Sequence, residues 1–124
     1  MCQTRGQTLL VFTNLPDEAS AQALATDLVT ERLAACVNVL APCRSTYRWQ
    51  GAIESALEIP LLIKTTTERY AALEAAIRAS HPYELPEIIA VPIAHGLPEY
   101  LTWVVTETRA EPTIEAADEN TAPC

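Results

Sequence analysis

The stretch HPYELPEIIA, residues 81–90, places two prolines, one histidine and two carboxylates within ten positions. A proline disfavours the right-handed helical conformation in the residue before it, so His81 and Leu85 are expected to be extended. The helix that precedes this stretch is therefore predicted to end near Ser80, and the stretch itself to form a stiff connector that leads into a strand. The side chains presented by this connector are those of His81, Tyr83, Glu84 and Glu87.

Hydrophobic periodicity on both sides of the connector predicts three helices and four strands. Asp17 or Ser20 can cap the first helix, and Pro98 suits the first turn of the last one. The predicted elements are strands at 8–13, 37–49, 53–63 and 87–94, and helices from Asp17 or Ser20 to about Ala35, at 68–80 and from Pro98 onward. The order β-α-β-β-α-β plus a C-terminal helix predicts an α+β, ferredoxin-like split βαβ sandwich with an antiparallel sheet.

The second and third predicted strands form a long hairpin around the turn at residues 50–52. Matching the apolar and charged faces predicts that Trp49 pairs with Ile53, which brings Arg48 opposite Glu54. The same register places Arg44 opposite Glu58. The prolines Pro42 and Pro60 cannot donate to a central ladder, so each predicts a bulge or a free edge.

The far ends of these two strands extend beyond a sheet of this size. An isolated hairpin is marginally stable in water, and a long unpaired edge favours association with further chains. Pairing between identical copies resolves both problems, and a closed ring avoids fibre formation. The sequence therefore predicts a cyclic homo-oligomer.

Length and composition narrow the classes of function. The 124 residues predict a single domain, residues 1–109, followed by an acidic tail, residues 110–124, that is expected to be disordered. The net charge of -8 and the presence of one lysine, Lys64, argue against nucleic-acid binding. Neither a span-length apolar run nor a signal-peptide core is present, so we expect no membrane partner and a cytoplasmic location.

Three segments resemble the CutA divalent-cation tolerance family over roughly Leu9 to Arg109. They are ERLAACVN at residues 31–38, STYRWQG at 45–51 leading on to LIKT at 62–65, and HPYELPEI at 81–88. The resemblance implies a ferredoxin-like protomer, a homotrimer built through the long hairpins, and a role in tolerance of divalent metals, copper especially. The trimer is similar in architecture to the nitrogen-regulatory PII proteins. This chain departs from the family pattern at Ala52, where many relatives carry a charge, and at Pro60.

Four residues are candidate metal ligands: His81, Glu84, Glu87 and Cys36. Imidazole suits copper and zinc, carboxylates can complete the shell, and the thiol is a softer ligand. His81 and Glu84 are expected to point to opposite sides of an extended segment, so a site shared between protomers is favoured over one within a single copy.

Structural roles stay open for each candidate ligand. His81 can cap the C-terminus of the second helix. The two glutamates can pair with Arg48 or Lys64, and Cys36 can be a small buried hydrophobe. The aromatic residues, which can line a cleft between subunits or simply pack there, are Tyr47, Trp49, Tyr83, Tyr100 and Trp103.

Enzymatic function has little support in the sequence. The chain lacks the phosphate-loop, dinucleotide and nucleophile-elbow motifs, and its three glycines cannot form a glycine-rich cradle. Together with the candidate ligands, the resemblance implies a non-enzymatic homotrimer that requires no cofactor and binds copper or a similar divalent cation. The alternative is a PII-like signalling scaffold that holds a small ligand or a partner between its subunits.

Overall fold

The computed structural model describes residues 7–110, which form one antiparallel sheet and three helices. The strands are β1 (Thr8–Leu15), β2 (Cys36–Val39), β3 (Cys43–Trp49), β4 (Ala52–Thr66) and β5 (Ile89–Pro92), and the helices are α1 (Glu18–Thr30), α2 (Thr67–Ser80) and α3 (Pro98–Glu107). The strand order is β2-β4-β1-β5, with β3 paired to the first half of β4. The part of the predicted acidic tail from residue 111 onward lies outside the described residues.

One face of the sheet carries the hydrophobic core. Alternate residues of β1 and β4 point toward α1 and α2, and Val11, Leu61 and Ile63 are fully buried there. From α2, Leu73 and Ile77 complete this layer, as the helical spacing predicts. The core therefore fixes the position of the connector that follows α2.

Helix α1 is shorter than the sequence predicts. It begins as expected, because the Asp17 carboxylate accepts the backbone N–H of Ser20 at 2.8 Å. The predicted end at Ala35 is wrong, because Arg32 takes a left-handed conformation with φ of 60°. The N–H of Arg32 then bonds Val29 O, and that of Leu33 bonds Leu28 O, in the Schellman pattern that terminates helices.

The predicted single strand 37–49 is interrupted between β2 and β3. Val39 pairs with Leu61 and the N–H of Leu40 bonds Pro60 O, but the next paired residue, Cys43, faces Glu58. Residues 40–42 thus oppose residues 59–60, so one extra residue bulges where the two prolines remove ladder donors. The predicted bulge is confirmed at this position. At the other edge of the sheet, the strand predicted at 87–94 is shorter in the structure, where β5 spans Ile89–Pro92.

The predicted hairpin register is wrong by one residue. Trp49 pairs with Ala52 rather than with Ile53, which in turn faces Arg48. The turn explains this shift, because Gln50 and Gly51 both have positive φ, of 51° and 84°. A two-residue turn of this kind matches the twist of the flanking strands and closes the hairpin without the third loop residue.

Helix α3 covers part of the second face of the sheet. It contacts β4 and β1, and its Val104 and Thr108 are buried. Its C-terminus is held by Arg32, whose Nη1 donates to Glu107 O at 3.1 Å. Among the described residues, none of the three helices has both the length and the apolar character to cross a bilayer.

Candidate functional site

The connector begins at His81, which is the C-cap residue of α2 and has extended backbone angles. Its imidazole is 9% exposed, and both ring nitrogens are engaged. Nδ1 lies 3.2 Å from the backbone N–H of Tyr83 and accepts from it, so the proton is on Nε2, which donates to Asn14 O at 2.6 Å. The imidazole therefore ties the connector to the end of β1, and does not bond the α2 carbonyls that a helix-capping role would use.

The two glutamates of the connector differ in their contacts. Glu87 Oε1 accepts a hydrogen bond from Asn14 Nδ2 at 3.1 Å, whereas Glu84 has no side-chain hydrogen bond within residues 7–110; both residues are exposed. Asn14 thus holds His81 through its carbonyl and Glu87 through its amide. Sequence reasoning assigned Asn14 only to a turn. Its partner His81 is 67 positions away along the chain, and no local pattern links the two residues.

A second residue that sequence reasoning missed is Glu58. It pairs with Cys43 at the end of the β3–β4 ladder, one residue before β4 begins to pair with β1 at Ile59, and it is 8% exposed. The ring of Tyr83 contacts that of His81 at a tilt of 53°, with 4.8 Å between the ring centroids. Burial, followed by hydrogen bonding to Glu58 and by the charge of that carboxylate, raises the pKa of the Tyr83 hydroxyl to about 12.

These contacts form one continuous network at the base of the hairpin. It runs from Glu58 through Tyr83 and His81 to Asn14 and Glu87. The imidazole accepts the Tyr83 N–H at Nδ1 and donates from Nε2 to Asn14 O, and Asn14 Nδ2 donates to Glu87, so each of these links has one donor and one acceptor. The network fixes the orientation of the connector relative to the hairpin.

Cys36 lies apart from this network. It pairs with Lys64 on β4, and Lys64 pairs with Leu10 on β1, whereas His81 meets β1 at Asn14. Leu10 and Asn14 are four residues apart on β1, which corresponds to about 13 Å along the strand. The Cys36 thiol is 3.8 Å from the Lys64 ammonium.

The surroundings of Cys36 disfavour a cation. The Lys64 ammonium also donates to Asn38 Oδ1, and this hydrogen bond holds the charged group next to the Cys36 sulfur. On the other side, Tyr100 of α3 contacts the thiol; burial, then the charge and the hydrogen bond of Cys36, raise the pKa of Tyr100. The Cys36 thiol is therefore already in contact with Lys64 and Tyr100 of its own chain.

As a set, the four predicted ligands do not fit a divalent cation within one chain. Over residues 7–110, His, Cys, Asp and Glu side chains nowhere converge in a group of three that could hold a metal ion. A groove of about 580 Å³ between α3 and the ends of β1 and β5 contains none of them; its walls include Ile93, Leu101 and Arg109.

The predicted aromatic residues also divide into two groups. Tyr47 on β3 is close enough to Tyr83 for its charge to affect that hydroxyl. The rings of Tyr100 and Trp103, both on α3, contact each other at a tilt of 36°, with 5.5 Å between their centroids. Only the first group adjoins the network around His81.

Comparison with known proteins assigns the family. The family model described as CutA1 divalent ion tolerance protein matches residues 9–107. The chain belongs to this family. The resemblance carried by the three sequence segments is thereby confirmed, and the comparisons support it over the PII-like alternative.

Related proteins, several of them with solved structures, match this CutA1 family member over most of its length. The divalent-cation tolerance protein CutA of Thermus thermophilus is 46% identical over 99 residues, covering 80% of this chain and 96% of that protein. The crystal structure of CutA from Xylella fastidiosa superposes with a TM-score of 0.81 at 51% identity, covering 83% of this chain and 99% of the other. CutA1 from Oryza sativa gives a TM-score of 0.82 at 36% identity, covering 86% and 98%.

These structures confirm the predicted α+β, ferredoxin-like fold. The family bears the name of a tolerance protein rather than that of an enzyme.

Proposed function

We propose that this protein acts in divalent-cation tolerance, toward copper in particular, as a non-enzymatic homotrimer that binds metal at positions shared between protomers. The family match over residues 9–107 carries the tolerance role. Free thiols at Cys36 and Cys43 are compatible with a reducing compartment, and we propose a cytoplasmic location.

The exposed hairpin supports the trimer. The first half of β4 pairs only with β3, so these two strands form a ribbon outside the core sheet. Two aliphatic side chains of this ribbon are largely exposed, Ile53 at 69% and Leu57 at 59%. A two-stranded ribbon that exposes such residues is marginal alone, and packing against further copies covers them.

Shared metal ligation is supported by the separation of the candidate ligands. Glu84 and Glu87 are both exposed at the connector, but Glu87 is engaged with Asn14, as is the buried His81. In this proposal Glu84 is the carboxylate that meets a cation first, and the neighbouring protomer supplies further ligands. Carboxylate and imidazole together suit copper and zinc.

Titration calorimetry with copper and with zinc tests the binding half of this proposal. We expect heat with wild type and a weaker or absent signal with Glu84→Gln. The control is Glu99→Gln, which removes an exposed carboxylate from the first turn of α3. If a protein shown to be trimeric gives no heat with either metal, the binding half is wrong.

A further inference from the structure

Two of the three segments that carry the family resemblance meet at a place that the proposed metal site does not use. Residues 31–38 contribute Cys36 and Asn38 on β2, and residues 62–65 contribute Lys64 on β4. Cys36 pairs directly with Lys64, and Asn38 follows two residues later, so the three side chains share one face of the sheet.

Tyr100 adds a fourth polar group at this place, which is here called the Lys64 cluster and consists of Cys36, Asn38, Lys64 and Tyr100. Tyr100 lies in the first turn of α3 and contacts the Cys36 thiol. The Lys64 ammonium is 3.8 Å from the same sulfur and donates a hydrogen bond to Asn38 Oδ1. The cluster therefore joins β2, β4 and α3 around one cation.

The positive charge of the Lys64 cluster has no counter-charge within the described chain. Lys64 is the only lysine of the protein, and it is half-buried on an inner strand of the sheet. Both of its partners are neutral, and over residues 7–110 the one ion pair joins Arg32 and Glu107. A charge that is partly removed from water is costly unless an opposite charge approaches it. An anion at this place would supply that missing interaction.

The other groups of the Lys64 cluster suit the oxygen atoms of an anion. The ammonium has three N–H donors, and the contacts to Cys36 and Asn38 use two of them. The side-chain amide nitrogen of Asn38 donates to no other group of residues 7–110, and the Tyr100 hydroxyl is also a donor. None of the four side chains is a carboxylate. A set of this kind attracts phosphate or carboxylate oxygens and repels a divalent cation.

We propose that the Lys64 cluster binds a small oxyanion, the phosphate or carboxylate group of a small molecule, with Lys64 as the charge partner and with Asn38 and Tyr100 as hydrogen-bond donors. This site is separate from the proposed metal site, because neither His81 nor Glu84 belongs to the cluster. The net charge of -8 opposes anions in general, but carboxylates farther away than about 8–10 Å are screened at physiological salt. The local donors therefore decide the binding.

The single lysine allows a direct test on the full-length protein. Labelling with ¹³C-lysine places the label only at Lys64, so its side-chain resonances report on this residue alone. The labelled protein is titrated with inorganic phosphate and separately with acetate, each against sodium chloride of equal ionic strength. We expect a saturable shift of the Lys64 Cε resonance with an oxyanion and only a non-saturating drift with chloride. Tighter binding of phosphate or of acetate identifies the headgroup of the ligand.

Two variants remove the proposed donors and keep the lysine signal. We expect Tyr100→Phe and Asn38→Ala each to raise the dissociation constant of the oxyanion about threefold to tenfold, since each loses one hydrogen bond to a charged group. The matched control is Tyr70→Phe, which removes a tyrosine hydroxyl from α2 and is expected to bind like wild type. Circular dichroism checks that each variant is folded.

The role of the charge is tested by calorimetry with the same oxyanion. We expect Lys64→Gln to lose the binding heat, while Arg78→Gln, which removes one exposed positive charge from α2, keeps it. The proposal is wrong if Lys64 shows no saturable shift with either oxyanion, which is also the result expected when a carboxylate of a neighbouring copy already pairs with it. A shift that is equally strong in both donor variants would contradict the proposal as well.

Discussion

Arg32 offers a test of how α1 ends, because a non-glycine residue in the left-handed region is strained. Its φ of 60° is required by the Schellman hydrogen bonds at the end of α1. An L-residue in this conformation costs roughly 1–2 kcal/mol relative to glycine. The contacts of the Arg32 side chain oppose this cost.

The compensating contacts join Arg32 to the end of α3. Nη1 donates to Glu107 O at 3.1 Å and lies 3.8 Å from Glu107 Oε1. A buried charge-assisted hydrogen bond contributes about 1.5–3 kcal/mol, but these side chains are 32% and 43% exposed, so about 1–2 kcal/mol is a realistic total. The Arg69 hydrogen bond to Arg32 O, at 3.2 Å, is made to backbone and survives substitution at position 32.

Two substitutions separate the strain from the contacts. Arg32→Ala loses the contacts and keeps the strain, so we expect a free energy of unfolding about 1–2 kcal/mol below wild type. Arg32→Gly loses the same contacts but removes the strain, so we expect it to be about 1 kcal/mol more stable than the alanine variant.

Urea unfolding at one fixed protein concentration measures both variants, because assembly contributes to apparent stability. Glu107→Gln is the control; it weakens the ion pair but leaves the carbonyl acceptor, and it should cost less than about 1 kcal/mol. A glycine variant no more stable than the alanine variant would refute the argument from backbone strain.

Three further predictions concern the core, the network and the hairpin. Thr13 is buried and its Oγ1 has no partner among the described residues, so Thr13→Val should raise the free energy of unfolding by about 1 kcal/mol; the matched control Thr65→Val breaks a 2.7 Å bond to a carbonyl and should lower it, and a destabilised Thr13 variant contradicts the assignment. The pKa of Tyr83 is raised from 10.0 to about 12, so the unfolded chain loses this proton first and stability should fall as pH rises between these values; Tyr83→Phe should remove that part of the alkaline decline in a urea series, and an unchanged decline would count against the network. Trp49→Glu adds a charge to the ribbon of β3 and β4 and should weaken the proposed trimer, and light scattering that still reports an intact trimer at low protein concentration would oppose this.

The candidate site was only partly predictable from sequence. The connector from His81 onward was located by its prolines, whose effect on the preceding residue is local. The partners of that connector were not, because Asn14 and Glu58 come from β1 and β4 and no local pattern links them to it. Cys36 was grouped with His81 by residue type, and the strand register separates them.

The hairpin, like the candidate site, was only partly predictable from sequence. The two strands and the bulge near Pro42 and Pro60 follow from alternation and from missing N–H donors, both of which a sequence displays. The register was decided instead by the positive φ of Gln50 and Gly51. Since the ribbon lies outside the core, no buried face penalised the one-residue shift.

The sequence by itself determined the order of the elements apart from the break between β2 and β3, a first helix capped by Asp17 or Ser20, the helix start at Pro98 and the extended His81, because each depends on neighbours within a few residues. Only the tertiary structure decided where α1 ends, which charges of the hairpin share a face, and how one asparagine holds two connector residues. Those outcomes depend on hydrogen-bond partners that are distant along the chain, and they become neighbours only when the sheet has formed.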